Sequence, residues 1–248
     1  MGGAVTAAVL TLNEAEHLPG CLKALSWADE VLVVDSGSTD RTAEIAAEFG
    51  ARLVTRPFTN FAEQRNWALG LVTTPWVFFV DADERVPLPL AAEVRRAVGG
   101  PYVGYWVPRQ NLILGRWVRG GGWWPDYQLR LFKVGCGRYD PAWPVHEIVR
   151  VDGPVGRLEN PLTHINYSTV GEIFAKQRRY APLEALRLCR QGVRPRPHRF
   201  LTFPLREFYR RFVRLGGYRD GWVGLVLAVA MAWQAVIVLW ELGRLGRS

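Results

Sequence analysis

Cysteine is scarce in this sequence, and no pattern links the three that occur: Cys21, Cys136 and Cys189 are scattered over 248 residues without a CxxC spacing. That excludes a disulfide framework or a thiolate zinc site as the organising feature and fits reduced thiols in a cytosolic protein. Histidine is no better placed: His17, His164 and His198 show no ligand spacing and are read as structural. No internal repeat or low-complexity tract is visible. The N-terminus lacks a basic start, an apolar stretch and a small-residue cleavage site, because "AVTAAVLTL" runs straight into "NEAEHLPG", so no signal peptide is expected. Disorder is excluded too, since 49% hydrophobic residues at this length suffice for a real core.

What is present is unevenly distributed. Residues 1–170 hold 16 Lys and Arg against 18 Asp and Glu, whereas residues 171–248 hold 15 against 5. The overall charge of +8 therefore belongs to the tail. A basic tail suits nucleic acid or the anionic cytoplasmic face of a membrane. The same tail contains nineteen residues without a charge, Trp222 to Trp240, which as a helix would span roughly 27 Å, close to a bilayer core. The two tryptophans bracket the run as an interfacial pair would.

The first hundred residues alternate between strand-like and helix-like periods. "AVTAAVLTL" precedes a helical pattern from about Glu14 to Ser26, and "EVLVVDS" precedes another from Thr39 to Phe49. A short strand "ARLVTR", a helix from Phe61 to Leu71 and the strand "WVFFV" follow. Such alternation predicts an α/β fold with a mostly parallel sheet and helices on both faces. Beyond residue 100, short apolar runs, glycines and aromatics indicate a mixed or antiparallel extension with long loops, then a helix from Val170 to Arg190. "RPRPHRF" interrupts any helix. The expected domains are thus 1–193, divided near residue 100, and a basic, apolar helical appendage over 194–248.

Polar residues follow three of the strands, in "LTLNEAEHL", "VVDSGSTDRT" and "FFVDADE". In a doubly wound sheet these carboxyl ends share one edge, where ligands bind. Asn13, Glu14, Asp35, Asp40, Asp81 and Asp83 are therefore expected in one cleft, and carboxylates so concentrated need a cation. Magnesium or manganese suits them, since such ions take one or two protein carboxylates and fill the other positions with water and phosphate oxygens. Asp83 is the expected metal ligand, Asp35 a partner for a base or ribose, and Arg65 a counter-charge for a diphosphate. "GGGWWPDYQLRLF" is expected to bound an acceptor through Trp123, Trp124, Gln128 and Arg130.

Together "VLTLNEAEHLPGCLKAL", "EVLVVDSGSTDRT", "FAEQRNWAL" and "FFVDADERV" resemble the nucleotide-sugar-binding half of a family 2 inverting glycosyltransferase. "DYQLRLFK", "VHE" and "FAKQRRYA" narrow the resemblance to the branch containing lipopolysaccharide-core β-1,4-glucosyltransferases, over roughly residues 4–185. The resemblance implies a GT-A type fold, a UDP-sugar donor and a divalent metal. It assigns the donor to Thr11, Asn13, Glu14, Asp35, Arg65, Asn66, Asp81 and Asp83. Many relatives carry paired acids where this chain reads Asp35 and Ser36, and the usual acidic pair of the general base is absent in that form. "WPVHE" substitutes for it, with Glu147 as base and His146 orienting it or approaching the metal; Asp126 is the reserve base.

The expected acceptor is a lipid-linked or lipopolysaccharide glycan, and the expected location the cytoplasmic face of the inner membrane. Two rivals fit less well. A sugar nucleotidyltransferase needs a glycine-rich basic phosphate loop after the first strand, which "TLNEAEHLPG" lacks. A nucleic-acid-binding protein explains "REFYRRFVR" but leaves the acidic strand ends without a role.

Overall fold

A computed structural model describes residues 3–140, 149–193 and 197–245. In chain order the strands and helices begin β1 (Val5–Thr11), α1 (Leu18–Ala24), β2 (Glu30–Asp35), α2 (Thr42–Glu48), β3 (Arg52–Thr55), α3 (Phe61–Leu71) and β4 (Trp76–Asp81). Next come β5 (Glu84–Arg85), α4 (Leu88–Ala97), β6 (Gly104–Ile113), β7 (Arg116–Trp117), β8 (Asp126–Lys133) and β9 (Gly137–Tyr139). The chain ends with β10 (Val149–Val151), β11 (Val155–Arg157), β12 (Leu162–Ile165), α5 (Val170–Arg190), α6 (Arg199–Tyr209) and α7 (Gly221–Leu245). Two compact units result, one of Met1–Arg109 with Tyr127–His164, the other of Gln110–Asp126 with Ile165–Ser248.

The first unit is built on a sheet of order β3-β2-β1-β4-β8-β6-β12-β5. Its first four strands run parallel, and β8 joins β4 antiparallel. From β1 the chain winds outward through β2 and β3, then α3 returns it to the other side of β1 as β4. That reversal makes the carboxyl ends of β1 and β4 a topological switch point. Register keeps those ends level: Leu10 lies beside Asp81, and Thr11 beside Asp35.

The apolar run of β4 explains why the sheet is buried on both faces. Successive strand residues point to opposite sides. Phe78 and Val80 join one core with Val5, Ala7 and Val9 of β1 and residues of α1, α2 and α4. Val77 and Phe79 join the other, with Ala62 and Ala68 of α3 and Phe132 of β8. Helices accordingly cover both faces, as the alternation of periods predicts.

Two local differences from the sequence-level expectation have plain causes. The first helix begins at Leu18 rather than Glu14, because Asn13 adopts a left-handed φ of 55° and His17 N donates to Glu14 O in a preceding turn. Asn tolerates that conformation better than most residues. Helix α4 has no counterpart in the expectation. Its opening "PLPL" reads as a breaker, yet proline is accepted in a first helical turn, where its missing N–H has no partner to lose.

In the second unit, β7 folds back on the last residues of β6 by pairing Leu112 with Trp117 and Ile113 with Arg116. The intervening Leu114 and Gly115 both have positive φ, 51° and 73°, as a tight hairpin turn demands. Helix α5 starts with Thr169 capping Glu172 N, while Glu172 accepts from Thr169 Oγ1 and from Ser168 N just before the cap, a variant of the capping box shifted by one residue.

Phe79 lies fully buried with its ring 5.9 Å from that of Phe132 and 5.6 Å from that of Tyr139. Phe79→Ala is expected to lower stability by about 3–5 kcal/mol, measured by urea unfolding; a loss below about 1 kcal/mol would contradict this packing.

Candidate functional site

At the switch point β4 ends in Asp81, and the turn Asp81–Ala82–Asp83–Glu84 folds back into β5. The turn is closed by its own acid, since Asp81 N donates to Glu84 Oε2 at 2.9 Å. Glu84 has no solvent exposure at all, so its charge requires buried partners. Arg130, delivered by β8 next to β4 and itself 6% exposed, supplies them. Its Nη2 lies 2.5 Å from Asp81 Oδ2 and 3.0 Å from Glu84 Oε1. Arg65 of α3 reaches Asp81 Oδ1 at 3.1 Å, and Arg109 of β6 reaches Glu84 Oε1 at 3.5 Å.

Burial and charge oppose each other here. Desolvation alone would raise Asp81, but the guanidiniums of Arg130, Arg65 and Arg109 outweigh it and hold the carboxyl below its ordinary range. For Glu84 burial wins, reinforced by the Asp81 charge and opposed by Arg130, so its carboxyl is pushed up.

With Asp81 held inward, the other aspartate of the turn meets a different residue. Asp83 Oδ2 lies 3.2 Å from His164 Nε2. The pairing of β12 with β5 brings them together, because His164 sits opposite Glu84 in that register. Nothing in sequence spacing linked residues 81 apart. The available signal was alternation, since Leu162 and His164 fall on one buried strand face and a buried histidine calls for a polar partner.

The β1–α1 and β2–α2 loops interlock beside this turn. Asp35 is 3% exposed and accepts from Gly37 N and Ser38 N on one oxygen, and from Ser38 Oγ and Thr11 Oγ1 on the other. Its four contacts fill the lone-pair positions a carboxylate offers, so in this structure Asp35 holds its own loop. Asn13 donates its N–H to Ser38 Oγ and accepts from Thr39 N at 2.8 Å. Glu14 N donates to Thr42 Oγ1, and Asp40 accepts from Ala15 N and Thr42 N.

Glu14 reports how closely the acids gather. Burial, then the charges of Asp83, Asp81 and Asp40, push its carboxyl up to about 7 from an ordinary 4.5. Of the strand-end acids expected in one cleft, Asp40, Asp81 and Asp83 act on Glu14, whereas Asp35 is turned into its own loop.

The other sequence-derived candidates are placed as follows. Asn66 clamps Tyr139 through both backbone groups, donating to its O at 2.8 Å and accepting from its N at 2.9 Å. Gln128 and Arg130 share one face of β8, with Gln128 half-buried. Asp126, Trp123 and Trp124 belong to the second unit. There Asp126 accepts from Asn111 Nδ2 at 3.3 Å, Trp123 joins an apolar cluster beside Tyr167, and Trp124 meets the edge of Trp117 at 5.2 Å. His146 and Glu147 lie outside the described residues.

No cluster of three or more His, Cys, Asp or Glu side chains with metal-ligand spacing occurs among the described residues. The pair Asp83 and His164 nonetheless fits a divalent ion of this kind. Mg²⁺ or Mn²⁺ needs only one or two protein carboxylates when phosphate oxygens and water complete the shell, and Mn²⁺ accepts imidazole.

The family described as glycosyl transferase family 2 matches residues 6–141. A lipopolysaccharide core biosynthesis glycosyltransferase, LpsC of Rhizobium meliloti (strain 1021), is 32% identical over 241 residues, covering 92% of this chain and 87% of its own. An uncharacterized glycosyltransferase of Rickettsia bellii (strain RML369-C) is 25% identical over 264 residues, covering 97% and 86%. Among solved structures, S. aureus TarS is similar with a TM-score of 0.47 and 16% identity, over 74% of this chain and 40% of that one.

Two outcomes follow from the charges. Arg130→Met strips the main counter-charge from Asp81 and Glu84 and is expected to destabilise the protein by about 3–5 kcal/mol, read by denaturant unfolding; near-wild-type stability would show that the cluster is not held by Arg130. Glu14 binds its proton more tightly folded than unfolded. Its contribution is therefore complete below about pH 4.5 and is lost as pH rises through about 7. Between those values the stability of wild type should fall relative to Glu14→Gln, and parallel pH–stability curves for the two would refute the raised carboxyl.

Proposed function

The chain belongs to glycosyl transferase family 2 and is a glycosyltransferase; from that premise we propose that it transfers a hexose, with inversion, from a UDP-sugar to a lipid-linked or lipopolysaccharide-core glycan. The observation that carries the reading is the division of labour within one turn. Asp81 is fixed inward by Arg130 and Arg65, while Asp83 lies against His164 at the switch-point edge.

In this reading Asp83 and His164 would hold the divalent ion, which when bound supplies positive charge against a diphosphate. Arg65, drawn to the same edge by Asp81, adds a guanidinium suited to phosphate oxygens. Thr11, Asn13 and Glu14 line the nucleotide side, Asn13 and Thr11 through the loop they brace around Asp35. Trp123, Trp124 and Gln128 are assigned to the acceptor.

The transfer is a single displacement. The acceptor oxygen attacks the anomeric carbon from the face opposite the diphosphate, the bond from that carbon to the diphosphate oxygen breaks, and its electron pair leaves with UDP. The acceptor proton passes to a carboxylate base as the new bond forms. Glu147 takes that role in this proposal, His146 orients it, and Asp126 is the second choice. Work at the cytoplasmic face of a membrane suits a lipid-anchored acceptor, and α7 is long and apolar enough to reach a bilayer by length and composition.

The test is UDP release across a panel of UDP-sugars, with and without a chelator. One or more UDP-sugars should be turned over, chelation should stop turnover, and Asp83→Ala should lower it at least a hundredfold with an unchanged circular dichroism spectrum. Undiminished turnover by Asp83→Ala would overturn the metal assignment, and formation of UTP and sugar 1-phosphate from a UDP-sugar and added pyrophosphate, in place of UDP release, would favour nucleotidyl transfer.

A further inference from the structure

Hydropathy alone offers α7 as a membrane-crossing helix, but the helix beside it does not permit a crossing. Val223, Leu227 and Ala230 of α7 pack with Ile173 of α5, and Val238 and Leu242 pack with Ala181 and Ala185. The ring of Phe174 adds a contact with Trp233 at 5.3 Å. Helix α5 therefore accompanies α7 along nearly its whole length. Yet α5 carries seven charged residues in 21, and Arg178, Arg179, Arg187 and Arg190 are exposed. A spanning α7 would carry those charges into hydrocarbon, where each is expensive.

The faces that α5 leaves open are apolar and ordered in rows. On α7 they are Trp222, Leu225, Val229, Val236 and Trp240, spaced three, four or seven residues apart, with the two tryptophans more than half exposed. Helix α6, which lies against α7, and the π-helical turn Arg210–Arg214 that follows it repeat the pattern: Leu201, Leu205, Tyr209 and Val213 recur every fourth residue at 69%, 61%, 59% and 45% exposure. One position further round, Arg206, Arg210 and Arg214 form a parallel row. Glu207, the sole acid between Arg199 and Arg219, is taken by Arg210 and Arg211 at 2.6 Å each. An exposed aliphatic and aromatic row bordered by arginines is the composition of a helix that lies in the headgroup plane, and the excess of arginine selects an anionic surface.

We propose that α6 and α7 form a monotopic docking face for an anionic lipid surface, their apolar rows entering one leaflet and the arginine row meeting its headgroups, without crossing it. This stands apart from the reaction assigned to the sheet edge, because binding is read without turnover.

The experiment is flotation of the full chain with phosphatidylcholine vesicles, with and without phosphatidylglycerol. Flotation is expected with the anionic vesicles only, weakening as salt rises. Arg206→Ser with Arg214→Ser should lower the affinity about 30-fold, and Leu201→Ser with Leu205→Ser should abolish flotation while the circular dichroism melt is unchanged. In sealed membrane vesicles from expressing cells, tags at the two termini should share the same protease accessibility. Tags on opposite sides would establish a spanning helix and overturn the proposal. So would equal flotation on neutral vesicles, no flotation on either, or a lipid-free dimer that the leucine variants dissociate.

Discussion

The contact of Arg130 with Asp81 and Glu84 is the constraint on which the candidate site rests. Two carboxylates three residues apart, one wholly buried, would repel each other and resist burial if left alone. A guanidinium shared between them, with Arg65 on Asp81 and Arg109 on Glu84 from two other elements, converts that cost into a fixed geometry. Five elements meet there: β4 brings Asp81, β5 brings Glu84, β8 brings Arg130, α3 brings Arg65 and β6 brings Arg109. The turn cannot rotate without separating a buried acid from its cation. Its remaining aspartate is thereby turned toward His164.

A second lock made of hydrogen bonds rather than ion pairs holds the neighbouring loops. Asp35 gathers donors from its own loop and from Thr11, and Asn13 reaches across to Ser38 and Thr39. The consequence is electrostatic as well as mechanical. Bracing these loops against each other leaves Glu14 half-buried and within reach of the Asp83 and Asp81 charges, and burial first, then those charges, raise its carboxyl. A fold stabilised elsewhere by its two apolar cores thus tolerates acids at one edge that would not choose each other's company.

The parts legible in the sequence were those set by local period. Phe61–Leu71 and Val170–Arg190 appear as helices with the expected bounds, and the apolar run before Asp81 is a strand buried on both faces. Helix α4 was hidden by its prolines. The partners at the site were hidden for a different reason. Arg130 lies 49 residues from Asp81 and His164 lies 81 from Asp83, and such pairs are created by strand register, to which composition and spacing are blind. Arg130 reads in sequence as one of two residues on a strand face, which does not distinguish an acceptor contact from a buried counter-ion.

The tail shows the same limit from the opposite direction. Nineteen uncharged residues state that α7 can cover a bilayer's thickness, but position relative to lipid is decided by what the helix packs against. Here the close contacts are local and specific. A Cβ on Gly224 would lie 1.8 Å from Gly217 O, so only glycine lets the first turn of α7 come so near the preceding bend. Farther along, the row Ile173, Gln177, Ala181 and Ala185 of α5, spaced four apart, keeps one side of that helix buried while its arginines remain outside. A helix fastened in this way to a charged neighbour behaves as one wall of a folded unit. Its apolar outer face then reports a surface to be covered, and the arginine row beside it specifies the charge of what covers it.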